Sequence, residues 1–321
     1  MKNSASNGES TVKWGMIGAG NVCEHKAGPA LYGVAGSELV LVHRRDREAG
    51  EDFVRRHGHG VYVGTMDELL HSDAINAVYV ASPHALHAEH TVAALEAGKH
   101  VLVEKPMAIS ARECDRMMAA AEANRRSLGV AYYRRGYPSV ARVRELLESG
   151  ALGEVKAAAF NNEFPTSHRL DLVHHFFGSI EAVRVLGARK DSFAFESIEQ
   201  RFDVRSASGV QVRMITEWAE SGMPEAFSIR GSEGTLYVAD LKKGWIVHEA
   251  GGQVRLEAPG SLPFTHWGLV ENFVDHFQKG KRLLCDGAEG RKSTVILDLL
   301  GAVEASSEWV PVRYGGSGSF S

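Results

Sequence analysis

The sequence predicts an α/β protein. An N-terminal Rossmann-type, doubly wound parallel sheet is followed by a C-terminal α+β domain with an open-faced, largely antiparallel sheet. Three observations predict it. Short valine-rich runs alternate with capped helical patterns up to residue 131, a Gly-Ala-Gly turn follows the first run, and two hairpin patterns occupy the second half. The length of 321 residues argues for two domains at about 150 residues each, divided as 1–131 and 132–321.

In the first half the strand candidates are Val12 to Ile17, Leu39 to Val42, Ala77 to Ala81, Val101 to Val103 and Leu128 to Tyr132. Each is short and apolar throughout, as expected of strands buried on both faces. Thr65 with Glu68, and Ser110 with Glu113, read as capping boxes that open helices. Gly98 closes the helix that carries Ala93, Ala94 and Leu95. Strand and helix in alternation imply a parallel sheet.

In the second half Val140, Val143, Leu146 and Leu147 recur at helical spacing, and Gly150 ends that helix. Ile198 to Val204 and Val210 to Trp218 flank Ser206-Ala207-Ser208-Gly209, and Trp245 to Glu249 and Val254 to Glu257 flank Gly251-Gly252. Both pairs read as hairpins, hence a meander-like antiparallel sheet. Helical segments near Trp267 to Phe277 and Arg291 to Ser307 complete the pattern.

Composition narrows the function. Apolar residues make up 44% and charged residues 24%, a globular balance. Lys plus Arg number 36 against 40 acids, a net charge of −4, which lacks the basic footprint of a nucleic-acid binder. No apolar run of about 18 residues occurs, so no membrane span is expected. Met1 to Thr11 and Gly315 to Ser321 read as frayed, polar ends without a signal peptide. Three cysteines, Cys23, Cys114 and Cys285, without C-x-x-C spacing suit a reducing compartment, and a cytoplasmic location is expected.

Gly18-Ala19-Gly20 comes directly after the first strand and opens a βαβ pattern. Glycines there let the backbone turn tightly and approach a pyrophosphate at a helix N-terminus. Asn21 and Val22 continue the loop, and Cys23, a small residue, stands where the third glycine of G-x-G-x-x-G would be. NAD-preferring sites place an acid at the end of the second strand to bind the ribose 2′-hydroxyl. Here the strand runs into His43-Arg44-Arg45, and two guanidiniums suit a 2′-phosphate. NADP(H) is therefore favoured over NAD(H). The competing reading makes Arg44 and Arg45 a solvated strand end, with Asp46 turned to the ribose.

At Glu104-Lys105-Pro106 the sequence becomes more specific. Gly18-Ala19-Gly20-Asn21, Ala81-Ser82-Pro83 with His87, and Gly98-Lys99-His100-Val101-Leu102-Val103-Glu104-Lys105-Pro106 together resemble the Gfo/Idh/MocA oxidoreductases. Arg135-Gly136-Tyr137-Pro138, and Glu271 with Phe273, fit the same family. The likeness is dense over residues 12 to 155 and thin beyond.

The resemblance implies hydride transfer between NAD(P) and a secondary alcohol or ketone of a sugar, sugar derivative or cyclitol, and a homodimer or homotetramer. It places Lys105 beside nicotinamide and substrate, with a Lys–Pro bond that is often cis. Oxidising a carbinol also releases the hydroxyl proton, and a partly desolvated lysine beside a positive ring is suited to take it or return it. Lys105 is thus a candidate catalytic residue. Glu104 either orients it, holds the nicotinamide ribose, or makes an ordinary ion pair. Ser82, Pro83 and His87 are candidates at the cofactor. Tyr133 and Arg135 border nicotinamide or substrate, or pin the interdomain hinge.

The family's second element, Asp-x-x-x-His-x-x-Asp, is represented by His168-Arg169-Leu170-Asp171. His168 is the candidate proton relay and Asp171 its orienting acid or a substrate contact. The first acid is replaced by Phe164, with Glu163 next to it, and the lead-in from Asn161 to Ser167 is short. That departure implies a more open pocket, a bulkier or glycosidic substrate, or lost activity. Two other functions remain open: a dinucleotide-sensing protein without turnover, and an NAD-assisted glycoside-cleaving enzyme. His84, His87 and His90 sit three apart, but no acid or cysteine completes a metal set, so no metal is expected.

Overall fold

The computed structural model describes residues 11–161, 166–189, 199–215 and 225–315. Glu163 and Phe164, the strand ends Ile198 and Trp218, and the outermost parts of both termini lie outside these residues. The chain forms two compact units. The first comprises residues 1–107, 116–131 and 264–287, and the second 108–115, 132–263 and 288–321. These units differ from a contiguous division into 1–131 and 132–321 at two places: residues 264–287 lie in the first unit, and 108–115 in the second.

The first unit holds a six-stranded sheet, with β1 (Val12–Ile17), β2 (Ser37–His43), β3 (Val61–Tyr62), β4 (Ala77–Val80), β5 (His100–Val103) and β6 (Leu128–Val130) in the order β3-β2-β1-β4-β5-β6. Every pairing is parallel. The order reverses between β1 and β4, where doubly wound sheets open a crevice at their carboxyl edge. Helices α1 (Gly28–Gly33), α2 (Arg47–His57), α3 (Met66–Leu70) and α4 (His87–Glu96) connect the strands. Both expected capping contacts form, with Glu68 N donating to Thr65 Oγ1 at 3.1 Å and Glu113 N to Ser110 Oγ at 3.3 Å, the latter at the start of α5 (Ala111–Ala123).

The return segment is part of the first unit's core. Trp14 and Phe273 pack with ring centres 4.8 Å apart and their planes tilted by 48°. A Cβ on Gly33 would come within 3.0 Å of the Trp267 ring, so glycine permits that approach. Val130 N donates to Cys285 O at 2.9 Å.

The second unit contains helices α6 (Pro138–Glu148) and α7 (Thr166–Phe177). Its sheet comprises β7 (Val155–Phe160), β8 (Ile180–Arg189), β9 (Glu199–Ser206), β10 (Gln211–Ile215), β11 (Phe227–Gly231), β12 (Gly234–Asp240), β13 (Trp245–Ala250), β14 (Gln253–Glu257) and β15 (Val310–Pro311). The order is β14-β13-β12-β11-β7-β10-β9-β8-β15. Both expected hairpins pair antiparallel, β9 with β10 and β13 with β14. The sheet is not a simple meander: β7 lies between β11 and β10, and its pairing with β10 is parallel. Two helices complete the chain, α8 (Trp267–Lys279) in the first unit and α9 (Gly287–Ala302), which ends short of the expected Ser307.

Alternation gives this sheet two faces. Val204, Val212, Ile229, Leu236 and Ile246 point to the buried side. On the other side Tyr237, Val247 and Leu256 are successive cross-strand partners, joined on the same face by Trp245 and Val254. Tyr237, Trp245, Val254 and Leu256 are between 48% and 75% exposed.

Candidate active site

Three sequence features meet at the carboxyl edge of the parallel sheet, because β1, β4 and β5 are neighbours there. The turn after β1 carries Gly18, at φ +91°, where a Cβ would lie 2.5 Å from the carbonyl of Ala81 in the loop after β4. That approach closes the two loops on each other and requires glycine. At Gly20 a Cβ would meet nothing within 4 Å, so the omitted side chain leaves open space in front of the turn. Asn21 is exposed and Val22 half-buried beside it. Cys23 is buried, and its thiol lies 3.4 Å from Gly18 O. Burial, then the nearby Glu104 charge, push the thiol far above its ordinary pKa, which makes it a packing residue rather than a redox group.

Arg44 folds from the end of β2 onto this turn and donates to Ala19 O at 2.7 Å. Arg45 is exposed beside it. Asp46 does not turn inward: its carboxylate caps α2 by accepting from Ala49 N at 3.1 Å. The strand end thus presents two guanidiniums, with its nearest following acid committed to a helix cap.

In the loop after β4, Ser82 Oγ is buried with no hydrogen-bond partner among the described residues, and Pro83 is exposed. An orphaned hydroxyl, an open glycine turn and a guanidinium along one edge fit a dinucleotide with its pyrophosphate at Gly20. His87 braces two of these loops. It is wholly buried, with Nδ1 2.9 Å from Pro106 O and Nε2 2.9 Å from Ser82 O. The ring therefore ties the loop after β4 to the loop after β5. Burial lowers its pKa, against the pull of the two carbonyls.

The loop after β5 carries Glu104-Lys105-Pro106, with a cis Lys105–Pro106 bond. Lys105 is half-buried. Glu104 is 6% exposed and accepts from Tyr79 Oη, from His266 Nε2 at 2.8 Å and, on its second oxygen, from Lys105 N at 3.1 Å. Burial would raise its pKa, but the His266 charge, the two side-chain donors and Lys105 together hold it at about 2. The carboxylate is thus engaged by Tyr79, His266 and the Lys105 peptide. Tyr79 and His266 were not legible as site residues, since neither belongs to a local motif.

The remaining candidates lie in the second unit. Arg135 and Asp171 pair with each other: Arg135 Nε lies 3.0 Å from both carboxylate oxygens, and Nη2 lies 2.7 Å from one of them. Arg135 also reaches Glu289 at 3.3 Å. Arg135 and Asp171 are thus joined in a buried ion pair, an arrangement in which the guanidinium and the acid position each other. His168 lies in the first turn of α7, wholly buried, with the Tyr133 ring edge-on at 4.7 Å and the Tyr132 ring at 5.5 Å. Tyr133 in turn lies under the Arg134 guanidinium at 4.9 Å, and Arg134 pairs with Glu225. Among the described residues no group of three acids, histidines or cysteines could hold a metal ion.

Known proteins bear on this arrangement. The chain is 29% identical to oxidoreductase P35 of Formosa agariphila over 91% of its own length and 98% of the relative's. It is 28% identical to 1,5-anhydro-D-fructose reductase of Ensifer adhaerens over 83% of this chain and 86% of that one. The crystal structure of aldose-aldose oxidoreductase from Caulobacter crescentus, complexed with glycerol, superposes with a TM-score of 0.83 at 19% identity, covering 94% of this chain and all of that one. That last likeness speaks for the fold. The model of the Gfo/Idh/MocA oxidoreductase family, with its NAD-binding Rossmann fold, matches residues 12–132, so that part of the chain belongs to this family, and the rest is similar to its oxidoreductases.

Proposed function

We propose that this chain is an NADP(H)-linked oxidoreductase that interconverts a secondary alcohol and a ketone on a sugar, sugar derivative or cyclitol. The observation that carries the reading is the arrangement of the glycine turn, the Ser82 loop and the Lys105 loop on three adjacent strands at one sheet edge. Bound there, the nicotinamide supplies hydride acceptance or donation. Lys105 takes the substrate hydroxyl proton during oxidation and returns it during reduction. Arg44 and Arg45 hold the 2′-phosphate, and Ser82 Oγ finds its partner on the cofactor. His168 is proposed as the substrate-side relay. The names of the relatives, one a reductase of an anhydro-ketose and one an aldose oxidoreductase, support a sugar-type substrate.

The chain is further proposed to self-associate through the open apolar face of the nine-stranded sheet and to work in the cytoplasm, where its three free cysteines stay reduced. A second reading, dinucleotide binding without turnover, draws on the complete enclosure of the His168 ring.

The test combines nucleotide binding with turnover. Thermal shifts with NADPH and NADH are followed by assay against a panel of ketoses, aldoses and cyclitols, for the native protein and Lys105→Ala. Turnover that falls about a hundredfold or more in the variant, with NADPH binding retained, is the expected result. Binding with no turnover on any substrate selects the second reading, and no binding of either nucleotide overturns both.

A further inference from the structure

Glu104 is a junction between distant parts of the chain. Its carboxylate ends β5, takes a donor from β4 through Tyr79, and takes another from His266, which lies 162 positions further along. His266 is wholly buried, and Thr265 Oγ1 lies 3.1 Å from its Nδ1. Two oxygens, two side-chain donors and the Lys105 peptide N–H account for most of the carboxylate's acceptor capacity.

A buried carboxylate needs positive charge close by. The groups facing Glu104 are Tyr79 from β4, Cys23 after the glycine turn, His87 from α4, Lys105 beside it and His266 from the return segment. Tyr79 and the Cys23 thiol are neutral, and His87 is turned to two backbone carbonyls. His266 and Lys105 are left to share the charge of the acid. Remove the first and, among the described residues, the second becomes its principal counter-ion, which holds the ammonium and its proton in place.

We infer that His266 is a positioning residue for Lys105: by engaging the Glu104 carboxylate it fixes the Lys105 peptide and keeps the acid from capturing the Lys105 ammonium. The inference rests on the reading of Lys105 as the proton-transfer group, yet it concerns a coupling that exists without cofactor or substrate.

The experiment measures Lys105 directly in the nucleotide-free protein. A water-soluble acetylating ester is applied in brief pulses, and the acylation of each lysine is read by peptide mass spectrometry, with the exposed Lys279 and Lys281 as internal references. His266→Ala is expected to slow acylation of Lys105 by about fivefold relative to the references. His266→Gln, which keeps a donor near Glu104, recovers part of that loss. In the assay, His266→Ala lowers kcat by about tenfold, with KM and the NADPH Kd within about twofold of native values. Thr265→Val, a milder change on the far side of the ring, moves Lys105 acylation in the same direction and serves if His266→Ala does not fold. Unchanged Lys105 acylation in a folded variant that still binds NADPH overturns the coupling and leaves the proposed reaction intact. Slowed acylation in a protein that binds no nicotinamide nucleotide does the reverse.

Discussion

Arg135 and Asp171 form a buried, two-point ion pair, with side chains 3% and 1% exposed and one N–O distance of 2.7 Å. A guanidinium in that setting depends on its acid, because the cost of leaving one partner alone exceeds the worth of the pair. Asp171→Ala should therefore destabilise the protein by ~3–5 kcal/mol, somewhat relieved by Glu289 on the other side of the guanidinium. Urea unfolding followed by circular dichroism checks this. A variant of native stability that loses turnover alone would restore Asp171 to the catalytic group.

The two arginines after β2 are expected to separate by function. Arg45 is exposed, so Arg45→Ala should weaken NADPH alone. Arg44 also holds Ala19 O, so Arg44→Ala should weaken NADPH strongly and NADH slightly. A charged hydrogen bond of ~1.5–3 kcal/mol corresponds to about a 10–100-fold change in the NADPH Kd. Titration calorimetry with both nucleotides measures it, and equal losses for the two would return Asp46 to the ribose.

Acid should unfold the second unit from its histidines first. Burial, and then the charges of Arg135 and Lys292, push His174 down to about 3, while burial with Arg135 and Arg144 does the same to His175. Both stay neutral in the fold, whereas the unfolded chain protonates them near 6.5. The stability they contribute is complete above that value and is lost as pH falls through the interval down to about 3. The depressed carboxyls of Glu24 and Glu104, both near 2, act between their ordinary 4.5 and that value, so the decline above 4.5 belongs to the histidines. Urea midpoints across this range should fall steadily in the native protein and less steeply in His174→Gln.

Self-association should fail when charge enters the apolar face. Leu256 is 75% exposed and flanked by Val247 in the cross-strand row, so Leu256→Asp adds a carboxylate without touching the core. Light scattering after size exclusion is expected to find the native chain as a dimer or tetramer and the variant as a monomer. A monomeric native chain would assign the exposed row another role.

The first unit was legible because its signals are local. Val12–Ile17 is bounded as its apolar run suggests, and Thr65 and Ser110 cap the helices they precede. β3 escaped notice because two residues, Val61 and Tyr62, carry no period of their own and become a strand by pairing with Leu41 and Val42. α7 escaped for the opposite reason. It is buried on all sides, and Thr166, Ser167, His168, Arg169 and Asp171 are buried along with its apolar residues, so no amphipathic stripe marks it. β7 gives weak signal as well, since Val155-Lys156-Ala157-Ala158-Ala159 reads as easily as helix and is held extended by neighbours on both sides. In the candidate site, motifs located the glycine turn and Lys105. The partners of Glu104, Arg135 and His87 follow from tertiary pairing, which no spacing encodes.

The return of residues 264–287 bears on the order in which the protein comes off the ribosome. The parallel sheet, translated before residues 132–263, lacks Phe273 against Trp14 and His266 against Glu104 until residues 264–287 have been made. The nascent first unit therefore waits with an apolar surface and a buried-to-be carboxylate both uncovered, and most of the second unit is synthesised in the interval. The parallel sheet is thus made well before it can be finished, and the Lys105 loop acquires its support from His266 only when residues 264–287 arrive.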